Sequence, residues 1–358
     1  MSAKTGKKNN DISVLKDELK SKKVRSAYVF YGPEEYLKKL YIENIENILL
    51  TEELKPLNKI IMDGKTEQEK IIEACETMPV FSERKIVLVR NSGLFKTGKN
   101  QDPGESRKKG RGKDTGKVQN DDLASYVENM PAYTCLIFYE DEVDKRVKLA
   151  NAISKKGLLV DFQYQEPLVL AKWVIKELKS QGKDIDIITA SQLVDSCDQG
   201  MTEIKNEIDK LIMYLGDRTH VSSKDVEEIC SKSVKGRVFD LTDAIAEKNL
   251  SAALKLLNDM IILKEPLPKI LFMITRQLRQ IMEMKLLLKS GLSKNEAAAR
   301  MGLTPYASGK VYKQAGGFTI EKLKEAIEDS LEMDLAIKTG KMNDRMAVEL
   351  FITKFCGN

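Results

Sequence analysis

Apolar positions in the first third of the chain fall in short runs, each followed by a stretch with helical spacing. The runs are residues 27–31, 59–62, 86–89, 134–139 and 158–162, and Gly32-Pro33, Asp63-Gly64 and Asn91-Ser92-Gly93 close three of them with turn signals. Residues 11–20, 34–50, 66–76, 121–128 and 145–154 place their apolar side chains on one helical face. In 34–50 these are Leu37, Leu40, Tyr41, Ile45, Ile48 and Leu49. Continuous apolar strands alternating with helices predict a parallel sheet covered on both faces.

From about residue 166 the strand signals vanish. A helix opening at Pro167 carries Leu170, Trp173, Val174 and Leu178 on one face. Further helices are predicted near Thr189, over 202–215, and over 222–230 with Ser222 or Ser223 as cap. The rest of the chain reads as helices over 243–248, 251–263, 267–290, 294–302, 306–315, 321–339 and 346–355. Residues 267–290 are apolar on more than one face, which predicts burial on several sides, within the domain or against another subunit. The fold class is therefore α/β followed by all-α.

A length of 358 residues suits two or three domains, and 42% hydrophobic residues suits chains that bury real cores. The longest apolar runs fall far short of the ~20 residues of a membrane span. Residues 1–10 are polar and lysine-bearing without an apolar secretory core, so a cytoplasmic protein is expected. Net charge is +5, but residues 96–118, with eight basic and three acidic side chains, hold as much by themselves, and residues 1–8 add +3. The remainder is net acidic, so bulk charge is weak support for a folded nucleic-acid face. Almost devoid of apolar residues, 96–118 is predicted to be a disordered insertion between the third strand and the next helix.

The five cysteines (Cys75, Cys135, Cys197, Cys230, Cys356) have no short spacing, which points to reduced core residues rather than disulfides or a zinc knuckle. His220 is the sole histidine, so zinc sites with several histidines are excluded, and no nucleophile–base pair surrounds it. No catalytic residue, metal or cofactor is expected.

One context for chemistry does occur. The phosphate-binding template G-x-x-x-x-G-K-[ST] needs a strand, a turn and a helix. The strand ending at Tyr31, then Gly32-Pro33 and a helix, supply that setting. Laid on Gly32, the template puts Leu37 at the second glycine, Lys38 at the lysine and Lys39 at the hydroxyl residue. The glycine lets backbone N–H groups curl round phosphate and the hydroxyl holds magnesium, and neither is present. Glu34 and Glu35 would fall where triphosphate oxygens lie and would repel them at the helix N-terminus. The acids Glu140, Asp141 and Glu142 follow an apolar strand as magnesium-binding acids do in ATPases, but without a phosphate cradle a structural role is expected.

Four segments in order carry a resemblance. They are Tyr28-Val29-Phe30-Tyr31-Gly32-Pro33-Glu34-Glu35-Tyr36-Leu37, Thr77-Met78-Pro79-Val80-Phe81-Ser82-Glu83-Arg84-Lys85, Asn206-Glu207-Ile208-Asp209-Lys210-Leu211 and Asp334-Leu335-Ala336-Ile337-Lys338-Thr339-Gly340. With the three-part layout, the chain resembles the delta-subunit family of bacterial DNA polymerase III clamp loaders, AAA+-like proteins without ATPase activity. The resemblance implies an AAA+-like domain over 1–164, a helical lid domain over 165–235 and a helical collar over 236–358. It implies a subunit that binds the beta sliding clamp and helps open the ring for loading on primed DNA. Its partners would be the other clamp-loader subunits of a heteropentamer, within a DNA-directed DNA polymerase (nucleotidyltransferase) holoenzyme. The clamp-binding element of the family maps onto Met78, Pro79, Val80 and Phe81, with Val80 where leucine is common. An exposed valine and phenylalanine on a helix–strand connection would form an apolar partner patch, although the same two side chains could instead close the sheet's own core. The Ser-Arg-Cys motif by which sister subunits reach a neighbour's ATP does not occur.

Two other readings follow from the residues. Lys38 is the one feature favouring a working ATPase. Residues 292–315 resemble a helix-turn-helix, with Tyr306, Ser308, Lys310 and Lys313 on the second helix, which would suit sequence-specific DNA binding. Such helix pairs are also ordinary bundle pieces.

Overall fold

The computed structural model describes residues 10–96, 122–197, 200–231 and 233–357. The insertion read at 96–118, except Lys96, and the basic segment 1–8 lie outside the described residues. The chain divides into two compact units, residues 1–164 and 165–358.

The first unit runs α1 (Asn10–Lys20), β1 (Ala27–Tyr31), α2 (Glu35–Leu49), α3 (Lys55–Asn58), β2 (Lys59–Asp63), α4 (Gln68–Glu76), β3 (Lys85–Arg90), α5 (Asp122–Asn129), β4 (Thr134–Glu140), α6 (Lys148–Lys156) and β5 (Leu158–Asp161). The strands form one sheet in the order β2-β3-β4-β1-β5, every pair parallel. Val29 lies opposite Phe138 and Leu159, and Val87 opposite Leu136 and Ile60. β1, β3 and β4 are buried nearly end to end, while the edge strands β2 and β5 are only partly covered. Alternation along each strand divides the core in two. Val29, Val87, Leu136 and Phe138 pack with Ile71, Leu123 and Ile153 of α4, α5 and α6. Tyr28, Phe30, Ile86 and Ile137 pack on the other face with Leu15 of α1 and Ile45 of α2. The approach to β5 requires Gly157, because a Cβ there would lie 2.0 Å from the Ala27 carbonyl oxygen.

The second unit runs α7 (Pro167–Ser180), β6 (Asp184–Ile185), α8 (Ile187–Ser196), α9 (Met201–Leu215), β7 (His220–Val221), α10 (Ser223–Ile229), α11 (Val234–Ala246), α12 (Leu250–Ile262), α13 (Leu267–Lys289), α14 (Lys294–Met301), α15 (Pro305–Gly317), α16 (Ile320–Lys338) and α17 (Asp344–Gly357). Two features differ from the sequence reading. β6 and β7 form a two-stranded parallel pair, too short to leave a periodic signal. The helix expected over 243–248 begins at Val234, where the Ser233 hydroxyl accepts from the Gly236 N–H at 3.3 Å and Val238 and Phe239 are already core. α13 threads the centre of the helical core through Ile270, Ile274, Leu278 and Ile281, yet also leaves Phe272 and Leu286 exposed. α8 packs against α11 and α15 within the unit. At that junction the buried Asp195 of α8 pairs with Lys235 of α11 and accepts from the hydroxyl of Thr304, the cap of α15.

All five cysteines are buried and unpaired. Among the described residues no helix is long and apolar enough to cross a membrane, and no group of His, Cys, Asp or Glu could hold a metal ion.

Candidate functional site

The turn after β1 has the outline of a phosphate loop, but its polar groups are already engaged. Gly32 sits at φ +107°, and a Cβ there would lie 2.5 Å from the Phe162 carbonyl oxygen, so the turn tolerates only glycine. The Gly32 N–H donates to the Asp141 carbonyl at 3.0 Å, and the Glu34 N–H donates to the Phe162 carbonyl at 3.0 Å. These N–H groups, which could otherwise wrap an anion, tie the turn to the chain beyond β4 and β5. Glu34 turns inward and caps α2, its carboxylate accepting from the Tyr36 N–H at 3.2 Å. Glu34 thus occupies the helix N-terminus, as expected for a carboxylate at that position, while Glu35 lines the adjoining cleft.

Lys38 is fully buried. Its ammonium pairs with Glu35 at 2.7 Å, donates to the Glu140 carbonyl at 3.3 Å and lies 4.2 Å over the Tyr139 ring. Burial works against the Glu35 carboxylate, but hydrogen bonds from Lys38 and from the Tyr139 hydroxyl outweigh it and hold its pKa below the usual value. Leu37 is half-buried against the core, while Pro33 and Lys39 are exposed. The cleft beside the turn, about 1050 Å³, has the acids Glu35, Asp141, Glu142 and Asp144 on its walls against the bases Lys65 and Lys96. Its sign disfavours a polyphosphate. Glu140 does not reach the cleft: it is buried and accepts from the Ser92 N–H at 2.9 Å and hydroxyl at 2.6 Å. Burial pushes its pKa up in spite of these bonds.

The second place is the connection from α4 to β3. Phe81 is 90% exposed, Met78 70% and Val80 42%; Pro79 is half-buried. Val80 and Phe81 therefore do not close the sheet's core. Phe81 holds φ at +53°, a left-handed conformation that costs a non-glycine residue about 1–2 kcal/mol.

The loop is braced from three sides by residues that the sequence reading gave no role. Asn58, buried at the end of α3, accepts from the Val80 N–H at 2.7 Å and donates to the Val80 carbonyl at 2.8 Å. Lys85, buried at the start of β3, donates to the carbonyls of Ala74 and Thr77 and so closes the C-terminus of α4. Arg84 donates to the carbonyls of Val24 and Arg25 at 2.9 and 3.1 Å. Arg84 and Lys85 belong to a segment already singled out, but nothing local in the sequence ties Asn58 to Val80.

The helix pair over 292–315 forms as α14 and α15, with a capping box at Ser293 and Glu296 and a left-handed Gly302 between them. Its proposed reading face is only partly engaged in packing, since Lys313 stays exposed. Ser308 is buried, Lys310 pairs with Asp240 and Asp243 of α11 at 3.0 Å each, and Lys313 pairs with Glu247 at 3.2 Å.

The chain matches the family model "DNA polymerase III, delta subunit" over residues 28–163 and "DNA polymerase III delta subunit, C-terminal domain" over residues 235–355. It is similar to DNA polymerase III subunit delta of Bacillus subtilis (strain 168), 26% identical over 339 residues that span 93% of this chain and 94% of that protein. It is also similar to a probable DNA polymerase III subunit delta of Aquifex aeolicus (strain VF5), 22% identical over 242 residues, 66% of this chain and 63% of the relative. Among solved structures, a Bacillus subtilis DNA clamp loader delta protein superposes with a TM-score of 0.52 at 24% identity, covering 97% of this chain and all of that one. That likeness bears on the fold, which is AAA+-like with a helical C-terminal region.

Proposed function

On the premise that the chain belongs to the delta-subunit family of the DNA polymerase III clamp loader, we propose that it docks on the beta sliding clamp through Met78, Pro79, Val80 and Phe81 and helps hold the ring open. The observation that carries this is Phe81, almost wholly exposed on a braced loop in a strained conformation. An aromatic side chain held outward at a cost in stability is what an interface anchor requires. Burying Phe81 and Val80 in a partner's apolar pocket would contribute on the order of 1.5–3 kcal/mol each.

The turn at Gly32, Pro33, Leu37, Lys38 and Lys39 serves as scaffold on this reading and binds no nucleotide. The energy of ATP then enters through the other clamp-loader subunits, which family membership implies as partners. Residues 165–235 act as lid and 236–358 as collar in a heteropentamer that encloses primed DNA, in the cytoplasm.

The test is calorimetric titration of the full chain with beta sliding clamp, repeated with Phe81→Ala. Loss of anchor burial predicts binding weakened about tenfold or more. Equal affinity of the two chains would refute the site, and no binding by the unaltered chain would refute the function. Equilibrium dialysis with ATP and magnesium should detect no uptake; saturable uptake would overturn the scaffold reading.

A further inference from the structure

The loop that carries Phe81 is shaped by a residue twenty-two positions before Val80. Asn58 is 1% exposed, and its carboxamide behaves as a one-residue strand partner for Val80. Its oxygen takes the Val80 N–H at 2.7 Å, while its nitrogen gives one hydrogen to the Val80 carbonyl at 2.8 Å and meets the Leu54 carbonyl at 3.1 Å. Both backbone polar groups of Val80 are thereby fixed, immediately before the residue at φ +53°. Phe81 cannot be holding itself there, since a side chain 90% exposed has little to pack against. A side chain that both accepts and donates at this reach is a primary amide. Aspartate would keep the acceptor but lose the donor, and alanine would lose both.

We propose that Asn58 is the positioning residue of the docking element, ordering residues 78–81 so that Phe81 is presented before any partner arrives. The proposal rests on the reading of Phe81 as the anchor. Ordering a loop only at the moment of binding subtracts from affinity, and a pre-formed loop avoids that cost. The brace joins the entry to β2 with the entry to β3, two adjacent parallel strands, so the presented geometry is referred to the rigid sheet.

The test compares the unaltered full chain, Asn58→Ala, Phe81→Ala and the double variant. Kd for beta sliding clamp is measured by calorimetry, and amide hydrogen exchange is followed at Val80. Asn58→Ala should weaken binding about tenfold and speed exchange at Val80. In the Phe81→Ala background the same change should lower affinity by a clearly smaller factor, because the ring is gone and only Met78, Pro79 and Val80 remain to be presented. Asn58→Asp, which keeps one of the two bonds to Val80, should fall between, and it answers the question if the alanine variant does not fold. Unaltered affinity in either Asn58 variant would overturn the proposal, as would an equal loss with and without Phe81. Unaltered affinity in Phe81→Ala alone would instead overturn the docking reading, leaving faster Val80 exchange as a property of the loop.

Discussion

Lys85 donates its ammonium to the carbonyl of Thr77, and so closes the base of the loop that presents Phe81. The same ammonium reaches Ala74, one turn back in α4. Replacing Lys85 with Met keeps the buried stem but leaves both carbonyls without that donor. A loss of about 1–3 kcal/mol in unfolding free energy is expected, measured by urea denaturation.

Strain at Phe81 can be separated from loss of its ring by comparing two truncations. Phe81→Ala and Phe81→Gly both remove the exposed side chain, but only glycine accepts φ near +53° freely. The glycine variant should be the more stable of the two by roughly 1 kcal/mol, read as a higher melting temperature. Equal melting temperatures would mean that the loop relaxes once the ring is gone.

Glu140 gives a pH signature. Burial raises its pKa above that of the unfolded chain, so its contribution is most favourable below the unfolded value of about 4.5 and is lost as pH rises through the folded value. Glu140→Gln retains an acceptor for Ser92 without the buried charge. The variant should melt above the unaltered chain at pH 7–8, and the gap should narrow on acidification towards pH 5. A gap independent of pH would show that the carboxyl is not the source.

Asp195 ties α8 to α11 and α15 through Lys235 and Thr304. Lys235 is partly solvated, which limits the Coulombic share. The buried Thr304 hydroxyl would lose its acceptor in Asp195→Ala, for a cost of about 1–3 kcal/mol in chemical denaturation. Faster exchange should be confined to amides of α8 and the start of α15.

Much of the fold was legible because its signals are local. Val29, Leu136 and their neighbours sit in strands buried on both faces, which produces uninterrupted apolar runs, and caps such as Ser222 and Ser293 mark helix starts within four residues. The start of α11 escaped because Lys235, Gly236 and Arg237 interrupt its apolar spacing, while the packing of Val234 and Val238 that sustains it is tertiary. The candidate site was legible only in part. That Gly32 and Lys38 lack a second glycine and a hydroxyl is written in the sequence; that Lys38 is sealed beneath Tyr139 is not. Met78–Phe81 could be singled out by resemblance, but an apolar pair on a connection has no local mark of facing inward or outward. Asn58 carried no signal, since its partner is distant in sequence and an asparagine before a strand is an ordinary turn residue.

The strand order also sets how the fold would bear a mechanical load. A pull on Phe81 directed along the sheet enters through Lys85 at the first residue of β3, which lies between β2 and β4. The hydrogen bonds to both neighbours then resist together, in shear, instead of being peeled open singly as they would be on a strand pulled sideways from an edge. On the docking reading, a load on Phe81 would pass to two neighbouring strands at once.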